Sequence, residues 1–273
     1  MNHEAIQQAA TLLRQHLDAG TRIDHLPPAC RPADRASGYA IQTEMLRQSG
    51  QEAAGWKIAA TSAAGQAHIA VDGPLAGRLW RNRVLAPGAT VSLRGNGMRV
   101  IEAEFAFRLG RPLPPRATPY AVAEVLAAAD RLHIGMEVPD SRYANFVQAG
   151  VAQLIADNAC ACWYILGPEV TLPWRERDLV THAVKAYRNG ALAAQGEGSA
   201  VLGDPRVALA WIANELATYG EGLQAGELVT TGTCIKPLPV AEGDEVVLDF
   251  GDFGSVAGRF ASGARTETMS CCR

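Results

Sequence analysis

The sequence predicts an α+β fold, a mixed β-roll or β-sandwich with peripheral helices and a small N-terminal helical cap. Three observations carry this. Apolar residues recur at helical spacing in only a few stretches, two of them within the first fifty residues. From Gly55 onward, Gly, Pro and Asn-Gly signals cut the chain into many short apolar runs. No regular strand–helix–strand alternation is present to build a doubly wound parallel sheet.

In chain order, residues 4–17 put Ile6, Ala10, Leu13 and Leu17 on one helical stripe, and Gly20 stops it. A loop carrying Pro27, Pro28 and Pro32 follows. Asp34 then caps a second helix running to about Gln48, with Tyr39, Ile41, Met45 and Leu46 available for packing. Residues 1–52 form this cap, too small to hold a core of its own, so it packs on the main body or on a neighbouring subunit. Residues 53–262 form the main β-rich domain, and 263–273 a flexible tail.

Within the main domain Trp56-Lys57-Ile58 alternates as a short strand, and Thr61-Ser62 opens a polar turn or a helix start. Gly73-Pro74 and Gly77 bracket a loop, and Pro87-Gly88 turns the chain before a strand near Val91. Thr118-Pro119 reads as an N-cap with proline at the first helical position, opening a helix over residues 120–132. Residues 159–166 read as a buried strand. Residues 180–188 and 191–195 are the arms of a hairpin turned at Asn189-Gly190. Asp204-Pro205 starts a helix with Leu209, Ile212 and Leu216 inward and Gly220 as its stop. Strands over 228–231, 245–250 and 255–260 complete the chain.

The 273 residues carry a net charge of -3, with 48% apolar and 19% charged residues, enough to bury a sizeable core. A pI near 6.1 with no basic run gives no electrostatic case for nucleic acid. No stretch approaches the roughly 20 apolar residues that span a bilayer. The N-terminus is amphipathic, carries acids and lacks the apolar centre of a signal peptide, so the expected location is cytoplasmic. Of the cysteines, Cys30, Cys160, Cys162, Cys234, Cys271 and Cys272, none forms a C-x-x-C pair or alternates with histidine at zinc spacing. Cys160 and Cys162 read as small core residues of a strand, and Cys271-Cys272 as a frayed, oxidisable end.

The chemistry concentrates in one stretch. Val100 to Leu109 reads as a strand of β-branched, aromatic and small residues, stopped by Gly110-Arg111-Pro112. Positions two apart share a face, so Glu102 and Glu104 point together while Ile101, Ala103 and Phe105 face a core. Two such carboxylates suit a solvated sheet face. A third, Glu137, stands in another short apolar run ending at Pro139. Three carboxylates from two strands can converge on a hard dication, Mg²⁺ or Mn²⁺.

Around them, Lys57 lies in an apolar stretch and serves either as a proton-transfer group or as the partner of a glutamate. The hydroxyls of Thr61, Ser62 and Thr233 either bind a substrate carboxylate or cap backbone groups. Asp157 and Asn158 contact substrate or make a turn, and Arg142 clamps an anion or pairs with Asp140. Gly232 marks a turn or a close backbone approach.

Gly55-Trp56-Lys57-Ile58, Thr61-Ser62 and Ile101-Glu102-Ala103-Glu104 together resemble the fumarylacetoacetate hydrolase superfamily, in its branch of 2-keto-4-pentenoate hydratases and 4-oxalocrotonate decarboxylases. The likeness continues in order through Glu137, Asp140-Ser141-Arg142, Ala156-Asp157-Asn158, Leu202-Gly203, Ala225-Gly226-Glu227, Thr231-Gly232 and Gly254-Ser255-Val256, covering residues 39–260. It implies a fumarylacetoacetase C-terminal-domain-like β-roll in which Glu102, Glu104 and Glu137 hold Mg²⁺ or Mn²⁺. Lys57 is then catalytic, and Ser62, Arg142, Asp157 and Thr233 bind substrate. The implied activity is hydration of a 2-hydroxypenta-2,4-dienoate, with decarboxylation of a 4-oxalocrotonate-type 2-oxo acid as the alternative. A third reading is an inactive structural partner of an active paralogue. The resemblance also implies a homo-oligomer and association between hydratase and decarboxylase. Two departures stand out. His68, His133 and His182 match no water-activating dyad of the hydrolases. Leu75 occupies the place after Pro74 where hydratases tend to carry an acid, with Asp72 out of step.

Overall fold

Both N-terminal helices form where their spacing puts them. The structure, a computed structural model, describes residues 1–263. Helix α1 (His3–Ala19) runs from Asn2, whose side chain accepts from the Ala5 N–H, to Gly20 in the left-handed region. Helix α2 (Arg35–Ser49) starts on a reciprocal Asp34–Ser37 box and ends at Gly50. The remaining helices are α3 (Ala63–His68), α4 (Val122–Ala128), α5 (Val151–Ala156) and α6 (Pro205–Thr218). The strands are β1 (Ala53–Ala59), β2 (Leu75–Trp80), β3 (Val84–Leu85), β4 (Thr90–Ser92), β5 (Val100–Leu109), β6 (Ala129–Val138) and β7 (Trp163–Glu169). After them come β8 (Ala183–Arg188), β9 (Ala191–Glu197), β10 (Leu228–Thr233), β11 (Leu238–Pro239), β12 (Glu245–Asp249) and β13 (Ser255–Ala261). No described helix is long and apolar enough to cross a membrane.

The strands make two sheets. One has the order β2-β1-β10-β5-β6-β7-β3, with β11 added to β5, and the other is β4-β13-β12-β8-β9. In the larger sheet β2 and β3 stand at opposite ends of the order, yet only Arg81–Arg83 separates them in the chain. The two ends therefore meet, and the sheet is rolled. Its outer face carries Ala103, Phe105, Ile134 and Met136, all fully buried. Phe105 meets the rings of Phe250, Phe253 and His182 edge-on, which seals the roll against the second sheet.

The mixed roll with peripheral helices is the expected fold. The N-terminal helices share one continuous core with the roll: Leu13, Ile41 and Met45 belong to the same buried cluster as Phe105 and Phe107. Gln42 of α2 reaches into the body, donating to the carbonyls of Ala76 (2.9 Å) and Ile155 (3.0 Å).

Local readings shift where strand pairing overrides propensity. The helix expected over 120–132 is only α4. Ala121, not Thr118, stands at its cap position, where its N–H donates to Glu124 (2.8 Å). The chain then passes straight into β6, because pairing with β5 claims everything from Ala129. The strand expected over 159–166 begins only at Trp163, so Cys160 and Cys162 precede it, and α5 was not foreseen. The hairpin at Asn189-Gly190 forms with φ 53° and 82°, the double left-handed turn that Asn-Gly favours. Cys30, Cys160, Cys162 and Cys234 are free thiols. Apart from Gly263, the tail expected over 263–273 lies outside the described residues, and so does Cys271-Cys272.

Candidate functional site

Register converts the i, i+2 spacing of Glu102 and Glu104 into a cluster. On the β5–β6 pair Glu102 stands directly opposite Glu137, and Glu104 opposite Gly135. Directly opposed residues of antiparallel strands share a face, so all three carboxylates project from the same side. That side is the inner face of the roll. One oxygen from each carboxylate lies within 4.8 Å of the others. Glu104 and Glu137 are fully enclosed, and Glu102 is half-buried.

Lys57 reaches this cluster from β1. Strands β10 and β5 stand between β1 and β6, so a flat sheet would keep their backbones about 14 Å apart. Curvature closes the gap. Lys57 Nζ lies 3.0 Å from Glu137 Oε1, within ion-pair distance though off the hydrogen-bond line, and donates to the Ala159 carbonyl at 3.1 Å. Burial works against the ammonium, but the attraction of Glu137, Glu102 and Glu104 outweighs it and the Lys57 pKa is raised.

The carboxylates respond in the opposite sense. Burial pushes Glu102 up to about 7, with the charge of Glu137 adding to it. Burial and then Glu102 push Glu104 up to about 7. Glu137 is pushed up to about 8, burial outweighing the help of Lys57.

Ionised together, the three carboxylates would outnumber the one ammonium by two charges in an enclosed space, which is why their pKa values are raised. Among the described residues the one backbone donor to the trio is the Gly232 N–H, on Glu104 Oε2 (3.1 Å), and the Thr230 side chain adds a weaker hydrogen bond to Glu104. Glu104 Oε1 and both Glu137 oxygens have no hydrogen-bond partner among the described residues. Buried anionic oxygens in that state need a cation. Gly232 earns its place sterically: at φ 103° its would-be Cβ falls 2.1 Å from Thr61 Oγ1, so only glycine delivers this N–H to Glu104.

The four expected substrate ligands are spent on the chain itself. Ser62 Oγ accepts from the Gly65 N–H (3.1 Å) as the cap of α3. Thr233 Oγ1 donates to the Ile235 carbonyl (2.8 Å). Arg142 and Asp157, both fully buried, pair with one another through Nε. Asp157 also accepts from Ser141 Oγ (2.6 Å) and the Arg142 N–H (2.9 Å). Arg142 thus takes Asp157 rather than Asp140, which Arg22 holds at 2.8 Å.

Two inner-face groups have no sequence signal of their own. Tyr164 stands opposite Glu137 on β7, and its ring lies over Gly135, where a Cβ would sit 2.0 Å from the phenol oxygen. Its hydroxyl is fully buried and has no hydrogen-bond partner among the described residues. Thr230 on β10, in register with Lys57, also has a buried hydroxyl without a well-aligned partner. Burial, then the charges of Glu104 and Glu137, push the Tyr164 pKa well up, so the phenol stays protonated as a donor. His133, His182 and His68 lie elsewhere: on the Gly167 carbonyl (3.3 Å), stacked on Phe253 (4.2 Å), and edge-on to Phe146.

Residues 59–261 match the family described as fumarylacetoacetate (FAA) hydrolase C-terminal. The chain is 31% identical over 258 residues to 2-keto-4-pentenoate hydratase 1 of Dechloromonas aromatica (strain RCB), covering 93% of this chain and 97% of the relative. It is 34% identical over 228 residues to 4-oxalocrotonate decarboxylase of Pseudomonas sp. (strain CF600), covering 82% and 85%. Among solved structures, 4-oxalocrotonate decarboxylase from Pseudomonas putida G7, complexed with magnesium and adipate, superposes with a TM-score of 0.87. That pair is 31% identical, with 95% of this chain and 98% of the other covered.

Proposed function

This chain belongs to the fumarylacetoacetate hydrolase family, and from that premise we propose that it is a divalent-metal-dependent lyase of 2-oxo and 2-hydroxydienoic acids. Its reaction in this reading is that of a 2-keto-4-pentenoate hydratase in aromatic catabolism, adding water to 2-hydroxypenta-2,4-dienoate. The observation that carries the proposal is the convergence of Glu102, Glu104 and Glu137 at one point with oxygens that lack hydrogen-bond partners among the described residues. Hard oxygen donors in that number suit Mg²⁺ or Mn²⁺, and the magnesium in the related decarboxylase supports a divalent cation.

When bound, the cation supplies a Lewis acid for the carboxylate and keto oxygens of the substrate. The chain does the rest. Lys57 holds the proton that must move as the dienol becomes a ketone. Its two neighbours, Glu137 and the Ala159 carbonyl, leave at least one of its three N–H donors unspent. The Tyr164 hydroxyl offers a second buried donor on the same face. The roll excludes bulk water from all but the Glu102 side, which strengthens each of these interactions. The contacts of Ser62, Thr233, Arg142 and Asp157 support roles in holding loops around the site.

Two observations favour the decarboxylase as a second reading. One is the structural likeness to a decarboxylase across nearly the whole chain. The other is Leu75, buried at the start of β2 where hydratases tend to have an acid, with Asp72 at the surface 3.8 Å from Arg35. The two are separated by incubating the Mg²⁺-loaded protein with 2-hydroxypenta-2,4-dienoate and with a 4-oxalocrotonate-type acid. Dienol absorbance and released CO₂ are followed together. Loss of absorbance on the first substrate without CO₂ supports the hydratase; stoichiometric CO₂ from the second supports the decarboxylase. Turnover of neither overturns the enzyme reading.

A further inference from the structure

The turn over residues 157–160 has no part in the carboxylate trio, yet among the described residues it holds the only run of three consecutive non-glycine residues at positive φ. Asn158, Ala159 and Cys160 have φ of 57°, 48° and 62°, three consecutive non-glycine residues in the left-handed region. Several locks hold them there. Asp157 is fixed by Arg142 and Ser141. The Asn158 amide grips the outer edge of β2 at both ends, Oδ1 accepting from the Arg78 N–H (2.6 Å) and Nδ2 donating to the Arg78 carbonyl (2.9 Å). Beside it Gly77 lets the Asn158 carbonyl approach, since a Cβ there would fall 2.2 Å from that oxygen. Gly77 is also the register partner of Lys57. The carbonyl presented by the next residue, Ala159, is the one that accepts from Lys57 Nζ.

We propose that this turn positions Lys57, with Asn158 as the positioning residue. By clamping the edge of β2, Asn158 holds the Ala159 carbonyl against Nζ and so aims the ammonium at the glutamate trio. The inference rests on reading Lys57 as the proton-transfer group. A lysine on a four-carbon stem, held by one flexible carboxylate, samples several positions. A second acceptor on immobile backbone leaves it one. Asn158 touches neither the trio nor Lys57 through its own side chain; it acts through the backbone that follows it.

The test uses the fact that the chain has three lysines, Lys57, Lys185 and Lys236, of which the last two are exposed. In the Mg²⁺-loaded, ¹⁵N-lysine-labelled full chain, the enclosed Lys57 ammonium should give a protected ¹H–¹⁵N signal while the other two exchange with water. In Asn158→Ala that signal should shift or vanish. For 2-hydroxypenta-2,4-dienoate kcat should fall about ten- to a hundredfold, with KM changed by less than about threefold. The Mg²⁺-induced rise in Tm should persist. Asn158→Asp, which keeps the acceptor for the Arg78 N–H, should recover part of kcat. Asn158→Gly, free to adopt the left-handed conformation, serves if the alanine variant does not fold. A folded variant with an unmoved Lys57 signal overturns the proposal, whether or not kcat falls. Undiminished turnover in Lys57→Met instead overturns the reading of Lys57 itself, independently of any Asn158 result.

Discussion

Glu104 accepts from the Gly232 N–H with one oxygen and has no hydrogen-bond partner for the other among the described residues, and unlike Glu137 it has no lysine within ion-pair distance. Glu104→Gln keeps shape and volume but removes the charge. Turnover should fall by about 10² to 10³ or more, and the Tm rise with Mg²⁺ should disappear, while the far-ultraviolet circular dichroism is unchanged. Wild-type turnover in this variant would refute the ligand assignment. The raised carboxyl pKa values carry a second expectation. Glu102 and Glu104 at about 7 and Glu137 at about 8 hold protons that the unfolded chain, with the ordinary value of 4.5, has released. Their contribution to metal-free stability therefore falls as pH rises from about 5 to 8. A bound dication displaces these protons, so the Mg²⁺-induced gain in Tm should be larger at pH 8 than at pH 6. Equal gains at both values would show that the three groups are already ionised without metal.

At the scale of elements, the helices answer to their caps and the strands to their partners. The Asp34–Ser37 box starts α2, and Asp34→Ala should cost about 1 kcal/mol. That corresponds to a fall of about 2–4 °C in Tm, with kcat unaltered because α2 meets the roll on its outside. A change in kcat would mean that the N-terminal helices communicate with the site. Element β6 shows the limit of local reading. The sequence from Tyr120 onward has an apolar stripe that suits a helix, yet pairing with β5 from Leu109↔Ala129 to Glu102↔Glu137 draws ten residues into a strand. The turn over 157–160 is the opposite case. Non-glycine left-handed residues cost about 1–3 kcal/mol each, and only tertiary locks hold three in a row.

For the whole molecule, the site joins strands that are remote in sequence: Lys57 from β1, Glu102 and Glu104 from β5, Glu137 from β6 and Tyr164 from β7. A cation held among them ties β5 to β6 and relieves the repulsion inside the roll. By linkage, Mg²⁺ at a hundred times its Kd adds about 2.7 kcal/mol, which should raise Tm by about 5 °C or more. A thermal melt with and without Mg²⁺ checks this, and no shift at saturating concentration would mean that the trio holds no such ion.

The sequence by itself determined the Asp34 and Asp204 caps though not the one expected at Thr118, the hairpin turn at Asn189-Gly190, and the shared side of Glu102 and Glu104. Each of these is written in the spacing of neighbouring residues, where a period of two or of 3.6 fixes direction. It also brought Glu137 and Lys57 into view as candidates. Tertiary structure alone decided that Glu137 stands across from Glu102, and that the roll brings Lys57 over two intervening strands. It also decided that Arg142 and Asp157 satisfy one another, that Tyr164 covers Gly135, and that residues 158–160 turn left-handed. Periodicity tells a strand which way its side chains face but not which strand will lie beside it. Register and closure come from burying the outer face against a second sheet, a long-range condition that no short stretch of the chain encodes.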